Sequence, residues 1–134
     1  MHHVFRLHPK QDLRREIENF CQVHNILAAG IVTCVGSLQH ATLRMAGASE
    51  TMTQSGPFEI VSLVGVYTQD GGHFHCSLSD KKGTVWGGHV GYGNTVYTTA
   101  EIILVELVDH ILRREMDLET GYPELVVYPK APIS

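Results

Sequence analysis

The sequence predicts an α+β fold, a largely antiparallel β-sheet with one main α-helix. Segments rich in apolar and β-branched residues recur along the chain between glycine-containing turns, which is typical of strands. One segment, from Asp12 to about His24, has amphipathic helical spacing instead. Because the chain has 134 residues and no linker or repeat, we expect a single domain over residues 1–134, with its core at about 4–128.

The first half of the chain combines this helix with strands. Asp12 opens the helix, and Asn25 suits its C-terminal end. Residues 46–57 (AGASETMTQSGP) are small, polar and rich in turn formers, which predicts a surface loop. We expect Arg44, just before this loop, to point outward. The strands predicted in this half are 4–7, 28–35 (ending at Gly36-Ser37) and 41–45.

The second half is predicted to be mainly strands. Residues 59–68 are apolar on both faces, which favours a central strand. Asp70-Gly71-Gly72 then turns the chain into a hairpin. Residues 96–107 are rich in β-branched residues and predict a long strand, although their second half is compatible with a helix. The charged stretch 109–124 is expected to be irregular, before a closing strand at 125–128.

The run HFHCSLSDKKGTVWGGHV holds the most informative residues. His73 and His75 lie two residues apart on a predicted strand, so their side chains point to the same face. Residues 80–83 predict a hairpin whose three-residue loop ends at Gly83. In the register that this loop sets, His75 faces His89. The same register pairs Asp80 with Thr84 and Ser77 with Gly87.

Three imidazoles on one hairpin face indicate a metal site. His73, His75 and His89 would supply three nitrogen ligands and leave a position open, as in catalytic zinc sites. The other face supports the register, because the residues that alternate with the histidines are apolar and suit a core. Those residues are Phe74, Cys76 and Leu78. Taken singly, each histidine is also typical of a partnered core or rim residue. We predict a divalent metal at the triplet, with zinc as the expected ion.

A catalytic residue is not identified by the sequence. Glu101, which follows Thr98-Thr99, is the candidate general base or outer-shell carboxylate. Its alternative role is an exposed strand carboxylate or an interface partner. Ser77 and Ser79 share the histidine face, but no Gly-x-Ser-x-Gly elbow supports a nucleophile.

Charge and cysteine content restrict the partners. Ten Lys and Arg against 14 acidic residues give a formal net charge of −4, and no basic stripe is present, so strong phosphate binding to DNA is disfavoured. Three cysteines without CxxC spacing argue against disulfides or a thiolate zinc site. No apolar run is long enough to cross a membrane, and no signal sequence is present, so we expect a cytoplasmic protein without membrane contact.

Several motifs occur in an order that carries a family resemblance. They are Val35-Gly36-Ser37-Leu38, Ala41-Thr42-Leu43-Arg44, GPFEIVSL at 56–63, HFHCSLSD at 73–80, Gly87-Gly88-His89 and Thr98-Thr99-Ala100-Glu101. Together they resemble the PPC (plants and prokaryotes conserved) domain from Leu7 to Val127. The resemblance implies an α+β fold, a homotrimer and a DNA-binding or transcription-associated role. It also implies metal binding by the His-x-His and Gly-Gly-His positions, as in several prokaryotic members. The resemblance also implies that DNA contact in plant members is made by a separate AT-hook, a segment which this chain lacks. Pro57 stands where those members often have Arg.

Three function hypotheses follow. The first is a stand-alone PPC-domain trimer, DNA-binding or transcription-associated, with a histidine metal site. The second is a metal-dependent enzyme acting on a small molecule. The third is a non-catalytic binding or structural trimer in which the metal only stabilises the fold.

Overall fold

The computed structural model describes residues 1–131, which form eight strands and one helix. The elements are β1 (His2–Leu7), α1 (Leu13–Val23), β2 (Ala28–Arg44), β3 (Thr51–Thr68), β4 (Gly71–Ser79), β5 (Val85–Val90), β6 (Val96–Glu106), β7 (His110–Met116) and β8 (Pro123–Pro129). The predicted α+β class, with a largely antiparallel sheet and one helix, is confirmed. No helix among these residues is both long and apolar enough to span a membrane.

The main sheet has the strand order β1-β6-β2-β3-β4-β5, with all neighbours antiparallel. It also closes on itself, because the end of β2 pairs with β5 through Leu43–Val90 and Arg44–His89. The buried amide of Asn94 holds this closure in place. It accepts from the Thr42 N–H at 2.8 Å and donates to the Thr42 carbonyl at 3.1 Å.

The helix covers one face of the sheet. The Asp12 carboxylate caps it by accepting from the Arg15 N–H at 3.0 Å, and Asn25 ends it with a φ of +53°. Leu13 and Ile17 are fully buried and join Phe74 in the core, each side chain stabilising the fold by about 1.5–3 kcal/mol. The start and end predicted for the helix are therefore confirmed.

Two predictions for the first half of the chain are wrong. The two strands predicted at 28–35 and 41–45 are parts of the single 17-residue strand β2, which ends at Arg44, because register shifts between 36 and 40 absorb the Gly36-Ser37 break. The predicted loop at 46–57 is mostly strand, since β3 begins at Thr51 and pairs its backbone with residues 40–44. The polar side chains of this segment reflect exposure to solvent and do not prevent strand pairing.

The predicted irregular tail at 109–124 is also wrong. β7 and β8 form a separate two-stranded hairpin, and the strand predicted at 125–128 lies in β8, paired with β7. The hairpin docks on the β3–β4 turn through the Gln69 N–H, which donates to the Leu112 carbonyl, and through the Arg113–Asp70 ion pair. Its charged residues lie on exposed or partly exposed positions of paired strands. The predicted strand at 96–107 is confirmed as β6.

Candidate metal centre

The β4–β5 hairpin has the predicted register. His75 lies opposite His89 and Ser77 opposite Gly87, and the Asp80 N–H donates to the Thr84 carbonyl at 3.0 Å. The loop requires Gly83, whose φ of +81° lies in the left-handed region. Four apolar residues of the other face are buried, as the alternation predicts, and Trp86 on the same face is partly buried against them. The four are Phe74, Cys76, Leu78 and Val90.

The three histidines converge on the outer face of this hairpin. The ring centroids are 5.0 Å apart for His73–His75, 5.2 Å for His73–His89 and 5.7 Å for His75–His89. One nitrogen of each ring lies within 4.8 Å of the others. Three imidazoles bound to one zinc at about 2.0–2.1 Å would bring their nitrogens about 3.3 Å apart, so small ring rotations suffice. The donor set therefore fits a tetrahedral ion with one position left open.

The environment keeps two of these rings neutral, which is the form that binds metals. Desolvation lowers the pKa of His73, helped by the nearby Arg114 guanidinium. Desolvation, followed by the charge of Arg44, lowers the pKa of His89 to about 4. The Nδ1 atom of His89 is buried without a hydrogen-bond partner among residues 1–131. A buried nitrogen lone pair or N–H without a partner is costly, and a metal or second-shell contact would satisfy it.

A cavity of about 790 Å³ adjoins the histidines. His73 and His89 line it together with three arginines that the sequence analysis did not connect with the site, Arg14, Arg44 and Arg114. They come from α1, β2 and β7, so no local motif joins them. Arg44 points away from the core, as predicted, because it pairs with His89 while its neighbour Leu43 is buried. The β2–β5 pairing, which no local pattern shows, sets Arg44 beside His89 and leaves it only partly exposed.

Glu101 is not brought to the histidines. It lies exposed on β6, separated from β4 by the two strands β2 and β3, and accepts a hydrogen bond from the Thr99 hydroxyl at 3.3 Å. The carboxylates that line the cavity are Asp70 and Glu124. Glu124 raises the pKa of His73, against the larger effect of desolvation.

The cysteines are placed away from metal chemistry. Cys21, Cys34 and Cys76 are free and buried, and desolvation raises the pKa of each thiol to about 12. A buried thiol with such a pKa stays protonated and is a poor ligand. The cysteines therefore serve as small apolar core residues.

Part of a much longer curated protein is similar to almost the whole of this chain. It is 42% identical over 120 residues to the bifunctional protein GlmU of Synechococcus sp. (strain JA-3-3Ab), a match that covers 90% of this chain and 19% of that protein. The chain thus spans about a fifth of the length of the curated relatives it matches.

Solved structures share nearly the whole fold. A hypothetical protein from Salmonella enterica is 35% identical with a TM-score of 0.95, covering 98% of this chain and 95% of that one. A metal-containing protein from Archaeoglobus fulgidus is 28% identical with a TM-score of 0.80, covering 94% and 93%. A protein from Bacteroides thetaiotaomicron, described provisionally as DNA-binding, has a TM-score of 0.84 and 16% identity, covering 93% and 91%, and shows the fold alone.

The family resemblance is confirmed by a family model that matches residues 1–108. The hairpin of β7 and β8 lies beyond this match, which therefore ends before the Val127 expected from the motifs. Within residues 1–108 the match includes all three histidines and the complete main sheet. The chain belongs to the Plants and Prokaryotes Conserved (PCC) domain family.

Proposed function

We propose that this protein binds one divalent metal ion, with zinc the expected ion, through His73, His75 and His89. The observation that carries the proposal is the convergence of three imidazole nitrogens within 4.8 Å on one hairpin face. The lowered pKa values of His73 and His89 support it, because neither ring needs to lose a proton near neutral pH. The metal-containing relative from Archaeoglobus fulgidus, at 28% identity, adds support.

Zinc titration by calorimetry tests this proposal. The metal-free protein is expected to take up about one zinc per chain. A structural zinc site with four ligands contributes about 10–16 kcal/mol, or about 2.5–4 kcal/mol for each ligand. Loss of one imidazole in His75→Ala or His89→Ala should therefore weaken zinc binding roughly 100- to 1,000-fold. His40→Ala is the matched control, because His40 is an exposed strand histidine bonded to Thr95. Parental zinc affinity in both site variants would refute the proposal.

The open coordination position and the adjoining cavity favour catalysis on a small molecule as a second function. A zinc ion bound there would supply a Lewis acid and a bound water with a pKa near about 7. Glu124 is better placed than Glu101 to move a proton, because it lines the cavity and lacks an ion-pair partner among the described residues. Zinc-dependent turnover of a small ester, amide or phosphate that is lost in Glu124→Gln would support this function.

We further propose that the protein is a homotrimer. Four valines on the two longest strands are more than half exposed, an apolar surface that association would cover. They are Val32, Val35, Val61 and Val64. Light scattering should give about three times the 14.8 kDa chain mass, and a monomer at micromolar concentration would contradict the proposal.

DNA is retained as a partner of this trimer. Support comes from the fold shared with a protein described provisionally as DNA-binding and from Lys81 and Lys82, which are exposed at the tip of the histidine hairpin. A trimer would repeat this basic pair three times. The net charge of −4 per chain opposes tight binding, so we expect weak contact with phosphates.

A further inference from the structure

The cavity beside the histidines is lined by three arginines. Arg14, Arg44 and Arg114 face the same space of about 790 Å³ as His73 and His89. A volume in this range is typical of small-molecule sites. The terminal hairpin contributes Arg114 from outside the part of the chain that the family model matches.

Each guanidinium is held by contacts that position it at the cavity. Arg14 donates to the Val90 carbonyl at 2.9 Å and lies over the Tyr92 ring, 4.6 Å from its centroid. Arg44 donates to the Ala48 carbonyl at 3.3 Å. Arg114 has an Nη2 atom 3.5 Å from Nδ1 of His73.

The charges in the cavity do not cancel. Arg14 is 3.5 Å from Glu18, and Asp70 is paired with Arg113 at 2.8 Å, so these groups are largely compensated. Arg44 and Arg114 have no carboxylate oxygen within 4.0 Å in the part of the chain from 1 to 131.

One carboxylate opposes these two charges. Glu124 lines the same cavity and has no ion-pair partner among residues 1–131, so it offsets one of the two arginine charges and leaves the other. Two half-buried guanidiniums beside a candidate cation site are therefore available to a ligand from solution.

We propose that this cavity binds a small oxyanion-bearing molecule, with Arg44 and Arg114 holding the anionic group beside the histidine centre. The guanidinium fork matches the geometry of carboxylate and phosphate oxygens, which is the chemistry that the two arginines share. This proposal extends the one for the metal centre, because a metal ion bound there would coordinate a second donor atom of the same ligand. The arginine contacts themselves do not require the metal.

The test is calorimetric titration of the full chain with inorganic phosphate and, separately, with malonate, at constant ionic strength because exposed charges are screened. Each anion is added to the metal-free protein and to protein loaded with one equivalent of zinc. Arg44→Gln and Arg114→Gln should each weaken binding about tenfold to a hundredfold in both forms, as expected for lost hydrogen bonds to a charged group. Preference for phosphate or malonate identifies the class of oxyanion.

Arg6→Gln is the matched control, because it removes the same charge from β1, where Arg6 bonds to Thr99. It should bind both anions like the parent. Equal anion affinity in the parent, Arg44→Gln and Arg114→Gln would overturn the proposal even if zinc binds as expected. Binding of duplex DNA, but of neither small anion, through Arg44 and Arg114 would overturn it as well. If zinc does not bind but the arginine variants lose anion binding, the metal centre fails and this proposal stands.

Discussion

The closure of the sheet between β2 and β5 is expected to control the position of His89. Gly88 makes this closure possible: a Cβ added there would lie 2.7 Å from the Arg44 carbonyl oxygen and 2.9 Å from Cε of Met45. Contacts of a Cβ are essentially never under 3.0 Å and ordinary ones begin at 3.4 Å, so Gly88→Ala must move β5 from β2 by between 0.3 and 0.7 Å, the differences from 2.7 Å.

This displacement has two measurable effects. Overpacking of this size typically costs about 1–3 kcal/mol of unfolding free energy, which urea denaturation measures. Because β5 carries His89, the ligand moves by more than the roughly 0.2 Å that metal–ligand distances tolerate. Zinc affinity measured by calorimetry should therefore fall about tenfold to a hundredfold, the range found when groups that orient ligands are lost.

Gly121→Ala, in the turn between β7 and β8, is the control for Gly88→Ala. Its added Cβ meets nothing within 4 Å, but the φ of +77° should cost about 1–2 kcal/mol in any residue with a side chain. We expect a comparable loss of stability with zinc affinity unchanged. If Gly88→Ala binds zinc like the parent, the β2–β5 closure does not position His89 and the reasoning is wrong.

Three further predictions concern stability and DNA. Phe74→Ala should lower the unfolding free energy by about 3–5 kcal/mol in urea, because its fully buried ring leaves a cavity, and a loss below 1 kcal/mol would contradict the core assignment. Glu18→Ala should cost about 1.5–3 kcal/mol for each hydrogen bond lost, since the buried carboxylate accepts from the Gly72 N–H at 2.8 Å and the Tyr92 hydroxyl at 2.6 Å; unchanged stability would contradict this. Fluorescence anisotropy should show duplex DNA binding no tighter than roughly 10⁻⁴–10⁻⁶ M and steeply weakened by salt, whereas tight, sequence-selective binding at physiological salt would refute the charge argument.

The histidine hairpin could be predicted from sequence because its signals are local. Alternation of polar and apolar residues sets the face of each side chain, and the loop ending at Gly83 sets the register. Together they place His75 opposite His89 without any knowledge of the rest of the fold. The helix was predictable for the same reason, since Asp12 and Asn25 mark its ends within the segment itself.

The cationic half of the site could not be predicted because it depends on long-range pairing. Arg44 reaches His89 only through the closure of β2 on β5, and Arg114 reaches His73 only because the terminal hairpin docks on the β3–β4 turn. The composition of 46–57 and 109–124 also led to wrong predictions of a loop and an irregular stretch, where the structure has strands. Polar and charged residues there indicated loops, although exposed paired strands tolerate the same residues.

X-ray absorption spectroscopy of the zinc-loaded protein tests the central claim most directly, because it reads the atoms bound to the metal. A centre built from His73, His75 and His89 predicts nitrogen or oxygen neighbours at about 2.0–2.1 Å, with the multiple-scattering signature of three imidazoles and no sulfur. The signature should be lost in His75→Ala and retained in His40→Ala. A sulfur neighbour at about 2.3 Å, or fewer than three imidazoles in the parent, would contradict the assignment.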